Sequence, residues 1–464
     1  MTEQLLFFER AGAVILAAGK GTRMYSDTPK VLMRVLDEPM LGYVHRAAVQ
    51  ICGDNVRVVI GHGAGDVRAA FPALEAQFIL QECQLGTGHA LQSAWPFAQA
   101  KSLDYLVVIN GDTPLVTAEV LTSFLEAAVR EDADLSFISI RLTDAGAFGR
   151  VVRKDGVVAA IVEAKDYDAS VHGPDSKEVN AGIYCFKVKS IDPLLPLLSD
   201  KNASGEFYIT DLVDLAVSEQ MRVTAQVWDR PELLGVNTPK ELVASEEVLR
   251  NKILNAHMDN GVLIRAAQSV RIGSDVRIAP GVEITGPCEL YGTTEIESGA
   301  VIASHCRLQN AHVGAKTVVH SFCHIQDATT GSGCAIGPYA RLRPGSVMDD
   351  GSRIGNFVEM KKARLGKGAK ANHLSYIGDA DVGEGANIGA GTITCNYDGH
   401  NKFQTRIGKG AFIGSNTALV APVQVGENAL VGAGSVITKD VPDNFLGITR
   451  APQKNVQRRA QGKK

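Results

Sequence analysis

The 464-residue sequence has no stretch approaching the ~18 consecutive apolar residues that cross a membrane, so no membrane span is expected. Its first twelve residues hold only the short apolar run Leu5 to Phe8 and no basic start, unlike an export signal, and a cytoplasmic location is expected. Charge is nearly balanced at a formal net -4, which argues against the broad basic surface that nucleic acid requires. The eight cysteines are scattered without a Cys-x-x-Cys pair, so neither a disulfide framework nor a zinc ribbon is expected, and the thiols should be reduced. His305, Cys306, His312, His320, Cys323 and His324 come close in sequence, but they fall in a repeat whose turns take short polar residues, so they do not read as a metal site. What is present, 45% hydrophobic residues in a chain of this length, suffices for two or three domains with substantial cores.

Two familiar glycine signatures are also missing. The P-loop needs Gly-Lys-Ser/Thr where Gly21 runs into Thr22-Arg23, and the dinucleotide fingerprint needs a third glycine where Met24 stands. A different glycine loop is there instead. Ala13 to Leu16 read as a buried strand, after which Gly19 and Gly21 give a turn whose bare backbone can approach a ligand closely. Backbone N–H groups in such a turn favour anions, and Lys20, Arg23 and Lys30 add positive charge. Leu16-x-x-Gly19-x-Gly21-Thr22-Arg23-Met24 followed by Pro29-Lys30 resembles the signature of sugar-1-phosphate nucleotidyltransferases.

Beyond the loop, strand-like runs alternate with helical patterns. Val56 to Ile60 and Phe78 to Leu80 read as strands, Ala69 to Ala73 and Thr87 to Gln99 as helices, which predicts a doubly wound, mostly parallel α/β sheet. The strand Tyr105 to Ile109 ends in Asn110-Gly111-Asp112, and ligands of open α/β sheets sit beyond strand carboxyl ends. Glu163 closes Val157 to Val162, Asn180 precedes Ala181 to Tyr184, and Asn237 follows the apolar run Leu233 to Val236. With the segment Gln81 to His89 they supply amide, carboxylate and backbone groups of the kind that read a base and a sugar. Pro239 to Met258 reads as one helix linking two domains.

After about residue 261 the texture changes. Ile272, Ile278, Ile284, Leu290, Ile296, Ile302 and Leu308 recur every six residues, the mark of one short strand and one corner per repeat, with the aliphatic pointing inward. The phase resumes after small slips as far as Ile437. Its largest interruption, Thr394 to Lys402, is polar and aromatic, and repeat proteins place functional insertions on one face. His373 lies upstream near Glu359, Lys361 and Lys362, a setting in which a histidine can serve as a general base.

Together the glycine-loop half and a repeat half carrying Gly355-Asn356-Phe357-Val358-Glu359-Met360-Lys361-Lys362, His373-Leu374-Ser375-Tyr376 and Asn387-Ile388-Gly389-Ala390-Gly391-Thr392-Ile393-Thr394-Cys395-Asn396-Tyr397-Asp398-Gly399 resemble the family of bifunctional N-acetylglucosamine-1-phosphate uridylyltransferases/glucosamine-1-phosphate N-acetyltransferases. The resemblance runs from Gly12 to about Gln453 and implies a left-handed parallel β-helix of hexapeptide repeats with about ten coils. The expected division is an extension at 1–12, a uridylyltransferase domain at 13–239, a linker helix at 240–260 and the acetyltransferase β-helix with its tail at 261–464.

The resemblance also implies site residues. For UTP and the UDP-sugar they are Leu16, Ala17, Ala18, Gly19, Arg23, Lys30, Gln81, Gln84, Gly86, Thr87, Gly149, Glu163, Asn180 and Asn237, with Mg²⁺ on Asp112 and Asn237. Arg23 and Lys30 would be catalytic through charge, and two hard oxygens suit magnesium. For the second reaction it implies Arg343, Lys361, Tyr376 and Asn387 at the sugar phosphate, and Ala390, Asn396, Tyr397, Ser415, Ala433 and Arg450 at acetyl-CoA. His373 is then the base, oriented by Glu359. The implied product serves cell-wall peptidoglycan and lipopolysaccharide synthesis. The resemblance further implies a homotrimer with acetyl-CoA sites between neighbouring β-helices. Departures from the family pattern are Asn110 for its tyrosine and Ala181 for its threonine, both on the sugar side. A β-helix serving only as an assembly arm, or a chain that binds sugar nucleotides without catalysis, would leave His373, Lys361 and the Asn396-Tyr397 loop without a purpose. The basic tail from Arg458 onward reads as solvated.

Overall fold

The computed structural model describes residues 10–457, so residues 1–9 of the expected extension and the basic tail lie outside the described residues. Two compact units divide the chain, one up to Leu249 and the other from Arg250 onward.

The first unit is built on a sheet whose order is Val223–Trp228, Leu135–Arg141, Glu178–Lys187, Tyr105–Asn110, Ala11–Ala17, Val56–Ile60 and Phe78–Leu80. Ala11–Ala17 is central, with Ile15 paired to Val58 on one side and Ile109 on the other, both in parallel. Its continuous apolar run follows from burial on both faces, and side chains alternate between them: Ile15 joins a core with Leu41, Val44, Leu121 and Phe124, while Val14 joins one with Leu91, Trp95 and Leu212. Helices Met40–Cys52 and Ala118–Arg130 thus cover one face, and Thr87–Ala100 and Asp211–Ser218 the other.

The first unit departs from the sequence reading in five places. Glu178–Lys187 runs antiparallel between two strands and carries the antiparallel hairpin Arg150–Lys154/Val157–Val162 at its edge, so the sheet is mixed. Asn180 lies inside Glu178–Lys187 at a register shift instead of preceding a strand. The apolar run Leu233 to Val236 forms no strand; Pro231–Leu233 is a 3-10 turn, and burial of Leu233 and Val236 accounts for its hydrophobicity. Ala11 and Gly12, read as extension, open the central strand, and the short helix spans Ala64–Ala70, ending before Pro72.

The linking helix spans Pro239–Asp259, started by a capping box in which Glu241 Oε2 accepts from Thr238 N at 3.0 Å and Thr238 Oγ1 from Glu241 N at 3.2 Å. In the second unit its Leu254 belongs to the β-helix core, and Arg250 Nη1 donates to the Ala267 carbonyl at 2.7 Å.

From Leu263 the chain forms a left-handed parallel β-helix of three sheets with 11, 10 and 9 strands. Equivalent positions stack coil upon coil, Ile284 on Ile302, Ile302 on Val319, Val319 on Ile336, Ile336 on Ile354, and these aliphatics are fully or almost fully buried. Cys306 and Cys323 are buried beside them, while the corner residue His305 stacks on Phe322. The insertion begins at Asn396, later than expected, because Thr394 is buried in strand Ile393–Cys395 and its Oγ1 accepts from Gly378 N at 2.7 Å. The loop closes on itself through a Tyr397–Lys402 bridge, with Asp398 accepting from His400 N and Asn401 N. Because each inward aliphatic rests on its neighbours above and below, Ile336→Ala should cost about 2–5 kcal/mol, read as a lower urea midpoint for the second unit with the first unit's transition unmoved.

Candidate functional site

A cleft of about 770 Å³ opens at the carboxyl end of Ala11–Ala17 and is lined by Leu16, Ala17, Ala18, Gly19, Arg23 and Lys30 with the polar residues below. Gly21 takes a left-handed φ of 61°, and an added Cβ there would lie 2.6 Å from Lys30 Cβ. Glycine therefore lets the loop turn directly over the lysine stem.

Asp112 and Asn237 meet at the floor. Asp112 is 8% exposed, its Oδ2 is ion-paired with Lys30 Nζ, and its Oδ1 is buried without a hydrogen-bond partner. Asn237 Oδ1 accepts from Arg23 Nη2 at 2.9 Å and from Lys30 Nζ at 3.1 Å. A side chain at Gly235 would come within 2.8 Å of Asp112 Oδ1, so glycine here leaves the orphaned oxygen uncrowded. Asn237 is fixed by the linking helix, since Glu241 Oε2 also accepts from its backbone N–H at 2.6 Å. An orphaned carboxylate oxygen beside an amide oxygen is a donor set that a hard divalent cation fits.

Farther along, Gln81 is 3% exposed and donates to the Gly86 carbonyl at 3.1 Å, and Gln84 donates to the Gln81 carbonyl at 2.9 Å. Thr87 Oγ1 accepts from Ile209 N at 3.1 Å. Asn180 receives Gly182 N at 3.0 Å, donates to the buried Tyr184 hydroxyl at 2.6 Å, and is tied to Gly149 by a backbone bond of 2.9 Å. Glu163 accepts from Thr210 Oγ1 at 3.2 Å, and burial raises its carboxyl above the usual range. Asp211, absent from the sequence reading, lies behind it; burial first, then the charges of Glu163, Asp166 and Asp214, push its carboxyl up to about 6.

In the β-helix, His373 pairs in register with Asn356 one coil earlier, and its Nδ1 lies 2.8 Å from Asn356 Oδ1. An acceptor there keeps the proton on Nδ1 and leaves Nε2 with a free lone pair. This corrects the expectation for Glu359, whose Oε1 instead takes Arg343 Nη1 at 2.8 Å, with Arg341 3.9 Å from its other oxygen. Glu359 pairs with Tyr376 in the next coil, as Lys361 does with Gly378. Lys402 and then Arg343 lower the pKa of the half-buried Lys361 ammonium by repulsion, so three cations converge where an anion would relieve them.

Ala390, Ser415 and Ala433 continue the corner of His373 coil by coil: Gly391 N bonds the His373 carbonyl, Asn416 N that of Ala390, and Gly434 N that of Ser415. Arg450 donates to the Ala433 carbonyl, and Asn387 sits on the strand that pairs with Lys370–His373. Asn396 and Tyr397 are not brought to that corner. They follow Ile393–Cys395 at the far end of the second sheet's strand, where Asn396 donates to Asp379. The sequence reading quoted Asn356 within a motif and Lys402 within the candidate insertion but gave neither a role; the coil interval from His373 would have found the first, and only the folded loop places the second against Lys361.

Asp211 yields a pH prediction. A carboxyl raised from 3.8 to about 6 takes up a proton on folding between those values, so its ionisation penalises the fold above about pH 6 and the penalty fades as pH falls through that window. Asp211→Asn should therefore stabilise the first unit at pH 8 by on the order of 1 kcal/mol after solvent screening, and by progressively less towards pH 4, in urea titrations.

Comparison with known proteins matches a separate family model to each unit. The family model for a MobA-like NTP transferase domain matches residues 13–167, and that for the hexapeptide repeat of succinyl-transferase matches residues 404–439. The bifunctional protein GlmU of Nitratidesulfovibrio vulgaris strain Hildenborough is 58% identical over 449 residues, 97% of this chain and 98% of its own. The GlmU proteins of Oleidesulfovibrio alaskensis and Lawsonia intracellularis are 58% and 47% identical with the same coverage. Similarity of this degree along both units shows that the chain belongs to the bifunctional GlmU family.

Proposed function

We propose that this chain makes UDP-N-acetylglucosamine in two steps, acetylating glucosamine-1-phosphate with acetyl-CoA and then transferring UMP from UTP to the N-acetylated product with release of pyrophosphate. The observation that carries this reading is the presence in one chain of the Asp112/Asn237 cleft, of His373 held by Asn356, and of the converging cations Arg343, Lys361 and Lys402. Such a product supplies cell-wall peptidoglycan and lipopolysaccharide precursors, and its substrates are cytoplasmic. Among the described residues no helix is long and apolar enough to cross a membrane.

In the acetyl step the amine of glucosamine-1-phosphate must lose a proton before attacking the thioester carbonyl. His373 Nε2 accepts it, Asn356 holds the tautomer that permits this, and coenzyme A leaves as the thiol. Arg343, Lys361 and Lys402 hold the sugar phosphate. In the uridylyl step the sugar phosphate is already largely dianionic because its second pKa is ~6, so its oxygen attacks the α-phosphorus without a protein base. Asp112 and Asn237 would hold Mg²⁺, which when bound offsets phosphate charge. Arg23 and Lys30 bring the two polyanions together, and Glu163 and Asn180 orient the sugar.

A homotrimer is the assembly that suits the β-helix. His305, Phe322, Tyr339 and Phe357 stack along one corner with ring centroids 4.6, 4.8 and 5.3 Å apart. Phe322, Tyr339 and Phe357 are 45%, 48% and 56% exposed, and Leu374 continues the line beside His373 at 62%. An apolar ladder at the pitch of a β-helix is matched by the ladder of another copy lying parallel to it, and a neighbouring copy can bring Asn396 and Tyr397 to His373.

Three variants test the reading. Asp112→Ala should reduce uridylyl transfer by about 10²-fold or more while acetyl transfer persists, and His373→Ala should do the reverse by about 10²–10⁴-fold, measured as pyrophosphate and thiol release. Either variant keeping its own reaction near wild type would remove that residue's role. Phe322→Lys with Phe357→Lys should lower the mass seen by light scattering and abolish acetyl transfer, with uridylyl transfer retained.

A further inference from the structure

The cation-binding floor of the cleft is occupied by a residue of the chain itself. Lys30 Nζ ion-pairs with Asp112 Oδ2 and lies 3.1 Å from Asn237 Oδ1, between the two oxygens that suit a metal. Both side chains of the pair are shielded, at 15% and 12% exposure, so their attraction exceeds that of a surface pair. The lysine backbone is fixed, because Lys30 opens the 3-10 turn Lys30–Leu32 after Pro29 and its stem packs under Gly21. Its four-carbon stem can still swing. A divalent cation seeking Asp112 must therefore displace an ammonium or share a carboxylate with it, and two cations at that range repel.

We propose that Lys30 is the resident cation of the Asp112–Asn237 pair in the free protein, and that a divalent metal enters only when a nucleoside triphosphate draws the ammonium onto its own phosphates. The inference rests on the reading of this cleft as a uridylyl-transfer site. No covalent bond changes; Lys30 exchanges a carboxylate oxygen for a phosphate oxygen, and Asp112 exchanges an ammonium for a metal. Metal and nucleotide then bind as a coupled pair, each raising the other's affinity by the same factor. The orphaned Asp112 Oδ1 fits this account, because a single ammonium satisfies only one oxygen of the carboxylate. Lys30 acts here as a gate on the metal, distinct from its part in holding phosphate.

Mn²⁺ binding to the full-length protein without nucleotide, followed by electron paramagnetic resonance, tests the proposal. Wild type and Lys30→Arg, which keeps the charge, should bind Mn²⁺ weakly, whereas Lys30→Gln should bind it about tenfold more tightly or better. Lys20→Gln, on the exposed part of the same loop, controls for loss of one positive charge and should leave the affinity unchanged. Combining Lys30→Gln with Asp112→Asn should return the affinity to the wild-type level. Equal binding by wild type and Lys30→Gln, or an equal gain in Lys20→Gln, would overturn the gate. Tight binding retained by the double variant would instead overturn the placement of the metal on Asp112, and with it that part of the uridylyl-transfer reading.

Discussion

Each coil of the β-helix must set an aliphatic side chain at the height of the next coil's, and the second unit depends on that constraint. Parallel strands paired coil by coil leave no freedom to slip, because a shift of one residue would turn the inward set outward. The corners absorb what is left over. They accept left-handed residues, including Phe322, Tyr339 and Phe357, and in doing so display a stacked column on the surface. The same lockstep brings His373 over Asn356 and continues its corner through Ala390, Ser415 and Ala433, so the register that builds the core also aligns the candidate site residues.

The first unit meets a different demand, which is to keep a carboxylate away from water. Asp112 is 8% exposed, and a buried charge is tolerated only when paired. Lys30 supplies the pairing, and Asn237, fixed by the capping box of the linking helix, completes the cradle. Lys30, Asp112 and Asn237 thus neutralise one another within the cleft, and under the proposed function a polyanion would redistribute those charges.

Much of this was legible in the sequence. The six-residue period gave the inward face of nearly every coil, because that period is a local property of one strand and one corner. The runs Val56 to Ile60, Phe78 to Leu80 and Pro239 to Met258 were likewise local patterns, and the structure places elements there. The antiparallel Glu178–Lys187 was not legible, since a strand buried on both faces has the same composition in either direction. The run Leu233 to Val236 misled for a related reason, because hydrophobicity reports burial and not hydrogen-bond pattern.

For the sites, the sequence by itself determined which chemistry was available: a glycine loop for phosphates, Asp112 after a strand, and a histidine near an insertion in a repeat. Side-chain identity and short-range spacing suffice for that. Which groups act on one another was decided by tertiary structure alone. Glu359 is closer in sequence to His373 than Asn356 is, yet coil register gives the imidazole to Asn356 and Glu359 to Arg343. Lys30 and Asn237 are 207 positions apart and share a hydrogen bond, and Lys402 acts on Lys361 only because the inserted loop folds back. Pairings of this kind depend on distance in space, which the closing of a sheet or a coil creates and no local pattern records.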